Sequence, residues 1–169
     1  MKNYPKYIKN TLFSVIHDMA KHPEDFCCCP EKNFTRKRKL PFEKVLTLLV
    51  KMGGHSLRDE MLDCLDFEDI PASVSALVQQ RSKILPKALE YLFRKFTDRC
   101  QNPKLYKGYR LLAVDGSDLQ FTANPNDPLS YFPGVNGQKP YSFLHLNALY
   151  DLNSGLYLDA VVQKRRATH

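Results

Sequence analysis

The chain has 169 residues, 43% of them hydrophobic and 25% charged, with 25 Lys and Arg against 18 Asp and Glu and a formal net charge of +7. This is the composition of an ordinary globular protein of about one domain. No apolar run approaches the roughly 18 residues of a membrane span, and the start Met1-Lys2-Asn3-Tyr4-Pro5 lacks a signal peptide's apolar core, so a cytoplasmic protein without a membrane partner is expected. The charge is uneven: residues 1–110 carry 21 Lys/Arg against 13 Asp/Glu, and residues 111–169 carry 4 against 5. The first part suits a polyanion, with a merely soluble basic protein as the alternative.

Helical spacing runs through the first 100 residues. Ile8, Leu12, Val15, Ile16 and Met19 mark one apolar face that ends before His22-Pro23. Residues 22–34 read as irregular, with Pro23 and Pro30 as breakers. This stretch holds Cys27, Cys28 and Cys29; Cys64 and Cys100 stand alone. An odd count without spaced pairs argues against a disulfide framework, and reduced thiols are expected. A zinc site using His22 is the weaker alternative.

Arg36, Lys37, Arg38 and Lys39 form a basic run before Pro41, which fits the first helical position. The run is a candidate set of phosphate contacts, with a solvated charged turn as the alternative. Phe42, Val45, Leu46, Leu49 and Val50 then define an amphipathic helix. After Gly53-Gly54-His55, Ser56 with Asp59 resembles a capping box. Leu57, Met61, Cys64 and Leu65 give the next helix its face. Ser73 reads as an N-cap, ahead of Val74, Leu77, Val78 and Ile84. Pro86 starts a further helix bearing Leu89, Leu92, Phe93 and Phe96, and Asn102-Pro103 closes the helical part. Residues 42–52, 56–66 and 73–84 suit a helix-turn-helix-like unit. Gln79, Gln80, Arg81 and Lys83 would project from its third helix; Gln and Arg match adenine and guanine edges, unless they only solubilise that surface.

The remainder alternates with period two. Residues 110–121 read as a first strand, 122–141 as a long Pro- and Gly-containing loop, and 143–152 as a second strand. Asn153-Ser154-Gly155 reads as a hairpin turn, followed by a third strand from Leu156 to Gln163. The first strand runs Leu111-Leu112-Ala113-Val114 straight into Asp115. Consecutive apolar residues usually mean a strand covered on both faces and paired on both edges; here only one neighbouring hairpin is available, so an unpaired edge is expected, read as sequence missing after His169. An acid at its end implies a metal ligand or catalytic carboxylate, the alternative being an Asp-Gly turn. Asp118 is expected in a loop or solvent, facing away from Asp115. Asp151 reads as a turn acid, Asp159 as a solvent-facing strand acid and His145 as a half-buried core histidine. Tyr131, Phe132 and Tyr141 are candidates for stacking on bases or for packing the loop.

Residues 34–40 (FTRKRKL), 42–52, 73–85 (SVSALVQQRSKIL), 112–118 (LAVDGSD) and 144–152 (LHLNALYDL) together resemble bacterial insertion-sequence transposases of the DDE type. The closest group is the large insertion-sequence family four, which carries a Y-R-E-K signature. The resemblance implies an N-terminal helical region that binds the element's terminal inverted repeats in double-stranded DNA. It also implies an RNase H-like catalytic domain in which Asp, Asp and Glu hold two Mg²⁺ (or Mn²⁺) ions for strand cleavage and transfer, with a homodimer as a candidate assembly. Of the three acids only the first carries over, onto Asp115. The 54 residues that follow it hold neither the family's second Asp motif nor its Y-R-E-K segment.

The expectation is therefore an α+β chain: a helical DNA-end-binding region at 1–104, then the first three strands of an incomplete RNase H-like α/β fold at 105–169. A non-catalytic module that competes at the element's ends and an inert remnant of a decayed transposase gene are the alternatives.

Overall fold

The computed structural model describes residues 3–36, 38–64, 73–100 and 105–164. The class is α+β, and the chain divides into two compact units, Met1–Cys100 and Gln101–His169.

In the first unit α1 (Tyr4–Ala20) carries Pro5 in its first turn, where a missing N–H costs nothing. It buries Val15, Ile16 and Met19, as the 3.6-residue spacing dictates. α2 (Phe42–Lys51) begins one residue after Pro41, which takes the N-cap rather than the first helical position. α3 is Leu57–Cys64, and the Ser56–Asp59 box precedes it. Asp59 N–H donates to Ser56 Oγ at 3.3 Å, and the Ser56 hydroxyl donates to Asp59 Oδ2 at 2.6 Å. Leu65 lies outside the described residues. α4 (Val74–Arg81) is capped by Ser73, whose Oγ accepts from Ala76 N–H at 3.2 Å. α5 (Pro86–Arg99) again opens on a proline. Asp18 ties α1 to α5 by accepting from Arg99 Nη2 at 2.8 Å.

Two hydrophobic clusters organise these helices, and α2 lies between them. Phe42 and Leu46 pack with Val15, Ile16, Met19, Phe26, Ala88 and Leu92. Val45 and Leu48 pack with Leu40, Met61 and Leu77. This corrects the single face expected of α2: Leu48 is buried and Val50 exposed, because a helix shared by two cores buries two sides. On α5 the buried positions are Ala88, Leu92 and Thr97, while Leu89 is exposed. Between α1 and α2 the chain forms a short 3₁₀ turn, Pro23–Phe26. Residues 26–28 then run beside 83–85: Leu85 N–H donates to Phe26 O and Cys28 N–H to Lys83 O, both at 2.9 Å, with Cys27 opposite Ile84.

The second unit is an antiparallel sheet. β3 (Tyr141–Asp151) is its centre. One edge of β3 pairs along its whole length with β1 (Leu112–Thr122), from Leu112 opposite Asp151 to Thr122 opposite Tyr141. The other edge is shared by β2 (Tyr131–Phe132) and β4 (Leu156–Gln163). β2 is a short strand inside the stretch expected to be irregular. Phe132 stacks on Phe143 and Tyr141 with ring centroids 4.6 and 5.5 Å apart, so these aromatics pack the loop onto the sheet.

The unpaired edge expected of the first strand is present among the described residues. Every β1 residue except Ala113 is exposed, Val114 to 74%. Among the described residues of this unit there is no helix to lie on either face, and β1 pairs with β3 alone.

At the hairpin, Asp151 is fully buried and plays a larger part than a turn acid. Its carboxylate accepts from Arg110 Nε at 2.8 Å and from the N–H groups of Asn153 and Ser154, both at 3.0 Å. Burial pushes its carboxyl up, but these three donors outweigh it and hold the group below the usual carboxylate range.

Candidate functional site

Two groups of residues singled out separately in the sequence meet in one place. A cleft of about 280 Å³ lies between residues 31–40 and α4 with its following turn. Arg36 and Arg38 of the basic run line it, as do Gln80 and Lys83 from the α4 side; Lys32 adds a further cation, and Glu31 is the acid there. Phe34 and Leu40 supply its apolar surface.

Phe34 shapes this cleft. Its φ is 59°, in the left-handed region that a bulky side chain avoids. The strain, about 1–3 kcal/mol for such a residue, is offset by packing. The Phe34 ring meets Phe42 edge-on at 5.4 Å and touches both hydrophobic clusters. Lys83 is fixed from behind, since its carbonyl accepts the Cys28 N–H at 2.9 Å.

The other expected contacts lie elsewhere. Lys39, Gln79 and Arg81 are exposed and do not line the cleft. Lys37 lies outside the described residues. Gln80 does not project from the surface as expected; it is only 8% exposed, because it sits one turn from Leu77 on the side of α4 that packs inward. The three helices α2, α3 and α4 do pack against one another around Val45, Leu48, Met61 and Leu77.

Sequence reasoning missed Glu60. Its Oε1 accepts from the N–H groups of Gly53, Gly54 and His55 at 2.7, 2.8 and 2.8 Å, which pins the turn between α2 and α3. The His55 N–H is the largest influence and, with the two glycine N–H groups, holds the carboxyl below its ordinary value against the opposing effect of burial. The signal present in the sequence was Gly53-Gly54, two residues able to turn their amides toward one acceptor; Gly54 has φ +99°.

Asp115 sits on β1 opposite Ala148, with its side chain exposed. It is in mid-strand, so the turn alternative is corrected, although its Oδ1 does accept the N–H of Gly116 at 2.8 Å. Ser117 and Leu119 share its face by alternation.

Gly116, Asp118, His145 and Asn147 share the opposite face. Asp118 is a strand residue rather than a loop residue, and its Oδ1 lies 2.6 Å from His145 Nδ1. His145 is buried, as expected for a core histidine. A Cβ on Gly116 would stand 2.8 Å from His145 Nε2 and 3.1 Å from Asn147 Oδ1, so this position admits glycine alone without displacement of the ring. Asp159 lies on β4 opposite Leu149, and its Oδ1 accepts the N–H of Ala160 at 2.9 Å.

A pair of Mg²⁺ or Mn²⁺ ions needs several oxygen ligands. Among the described residues no group of three or more His, Cys, Asp and Glu side chains is placed to hold a metal ion, so Asp115 does not by itself fit that role. Among the same residues no helix is long and apolar enough to cross a membrane. Compared with known proteins, the chain matches no family model, no curated protein and no solved structure.

Proposed function

We propose that this chain is a DNA-binding protein of the insertion-sequence transposase type, with the helical unit holding DNA and Asp115 contributing one carboxylate to an RNase H-like catalytic domain. The observation that carries the reading is the convergence of Arg36, Arg38 and Lys83 on one cleft beside three mutually packed helices. Cations clustered on one surface neutralise phosphates and release counterions, which makes binding steeply salt-dependent. The double-stranded ends of a mobile element are the DNA this reading favours.

The catalytic half rests on the sheet. The order β1–β3–β4, all antiparallel, with β1 paired on one edge among the described residues, supports an RNase H-like arrangement in which a further strand joins β1. Asp115 then stands on a central strand, exposed to the phosphodiester. One carboxylate does not complete a two-metal site, so no chemical step is derived through it.

Fluorescence anisotropy with a 30-base-pair duplex across a salt series tests the DNA half. Replacing Arg36, Arg38 and Lys83 with Ala together is expected to lower the slope of log K against log salt by about 2–3. An unchanged slope sinks the cleft as the DNA contact. Asp115→Ala is expected to leave binding unchanged. Preference for the element's own ends over random duplex separates a transposase from a protein that binds DNA by charge alone.

A further inference from the structure

One feature of the cleft is not explained by a general positive charge. Gln80 is more than nine-tenths buried, yet it lines the cleft. Lys83 Nζ donates to its Oε1 at 3.1 Å. An ammonium group only donates, so the atom it meets is the amide oxygen and the NH₂ is turned the other way. Among the described residues that Nε2 has no hydrogen-bond partner. This NH₂ is not sealed inside the structure: the side chain is mostly packed, but the amide opens onto the cleft, where its N–H groups are left to donate to water or to a group seated there.

The surroundings specify what would accept. Lys32, Arg36, Arg38 and Lys83 face the cleft against the one carboxylate of Glu31. Such an excess of cations matches a doubly charged anion better than a carboxylate. Phosphate offers several terminal oxygens, which two guanidinium groups, an ammonium and an amide N–H can share. A volume of about 280 Å³ lies just below the range of small-molecule sites and leaves room for little more than one nucleotide.

We propose that this cleft is a seat for a phosphate monoester, with Gln80 Nε2 and the side chains of Arg36, Arg38 and Lys83 donating to its oxygens. The seat deepens the DNA reading and rests on it for one source of the phosphate, the 5′-phosphorylated end of a DNA strand. A free nucleoside monophosphate is the other source. The internal diester of a duplex carries a single charge and is bulkier on both sides, so it meets Arg36, Arg38 and Lys83 at the rim of the cleft without reaching Gln80.

Two measurements on the full chain test this. The first is a ¹H–¹⁵N NMR titration with inorganic phosphate, and then with adenosine 5′-monophosphate, following the Gln80 side-chain amide. Saturable shifts of that NH₂ are expected, and their loss in Arg38→Ala; in Gln80→Leu the backbone amides of residues 79–83 are expected to lose their response to phosphate. Arg38 is exposed, so its variant keeps the test valid if Gln80→Leu fails to fold.

The second compares a labelled 12-nucleotide strand bearing a 5′-phosphate with the same strand bearing a 5′-hydroxyl. About five- to tenfold tighter binding of the phosphorylated strand is expected, displaced by inorganic phosphate. A response to the monophosphate with no preference between the strands assigns the seat to free nucleotide. Phosphate shifts in a chain that binds no DNA keep the seat and remove the DNA reading. The absence of any Gln80 response to phosphate or monophosphate, with equal affinity for both strands, overturns the seat while leaving rim binding to DNA intact.

Discussion

The two units solve the problem of burial in opposite ways. Among the described residues, the buried hydrophobic side chains lie between Val15 and Cys100, in the helical unit. The buried residues described in the sheet unit are polar: Ser130, Ser142, His145, Asp151 and Ser154. Leu112, Val114, Leu119, Phe121, Val161 and Val162 are exposed, and Phe132, Phe143, Leu144, Leu146 and Leu149 are only half-buried. The helical unit therefore draws its stability from the hydrophobic effect. The sheet unit is held by ladder hydrogen bonds and by polar pins at its turns. A sheet normally buries at least one face, so the second unit has the character of a surface prepared for a layer, and the first does not.

The largest effect that probes this contrast is a core truncation. Leu46→Ala, at a fully buried position of α2, is expected to cost about 3–4 kcal/mol in urea unfolding followed by far-ultraviolet circular dichroism. Val114→Ala on β1 is expected to stay within about 0.5 kcal/mol. Similar losses at both sites would erase the distinction.

Next in size is the polar pin. Asp151→Asn breaks the pairing with Arg110 and weakens the acceptor for the Asn153 and Ser154 N–H groups. A loss of about 2–3 kcal/mol is expected, read as faster hydrogen exchange at the β3–β4 turn with the helical amides unaffected.

Acid titration should separate the units further. In the folded chain Glu60 is held below its ordinary value by the His55, Gly53 and Gly54 N–H groups, and Asp18 is lowered to about 2 by Lys21 and Arg99. Groups depressed in the folded state contribute stability above their unfolded values of 4.5 and 3.8, and lose it as pH falls toward the folded ones. The helical unit should thus weaken progressively below about pH 4.5, and Glu60→Gln should flatten that dependence; an unchanged acid profile in the variant would refute the role given to the carboxylate. The smallest effect on folding is expected for Leu119→Lys on the exposed sheet. It should leave the unfolding midpoint nearly unchanged while reducing self-association at high concentration, measured by light scattering.

What the sequence disclosed depended on range. The apolar spacing of Val15, Ile16 and Met19, the caps at Ser56 and Ser73, and the hairpin turn at 153–155 are local, and each appears in the structure where the pattern put it. The α+β class followed from the switch of period near residue 105. Misreadings came where partners are distant in the chain. Leu48 looked like a surface residue because a single stripe was assumed for a helix that serves two cores. Asp118 is exposed as expected but was taken for a loop residue, and its contact with His145 went unread because that partner lies 27 residues away across the ladder. Arg36, Arg38, Gln80 and Lys83 were legible as candidates, but their meeting in one cleft depends on the turn at Phe34 and on the pairing of residues 26–28 with 83–85, neither of which has a sequence signature. Gln80 was legible as a donor but not as a buried one.

That pairing also makes the adjacent thiols unequal. Cys28 and Cys29 are exposed, whereas Cys27 is buried and its thiol is pushed up by the loss of solvent. An alkylating reagent should therefore consume the two outer sulfurs first and reach the inner one only when the backbone beside Ile84 separates. The rate at which Cys27 is tagged then works as a resident stopwatch for excursions of the stretch that anchors Lys83.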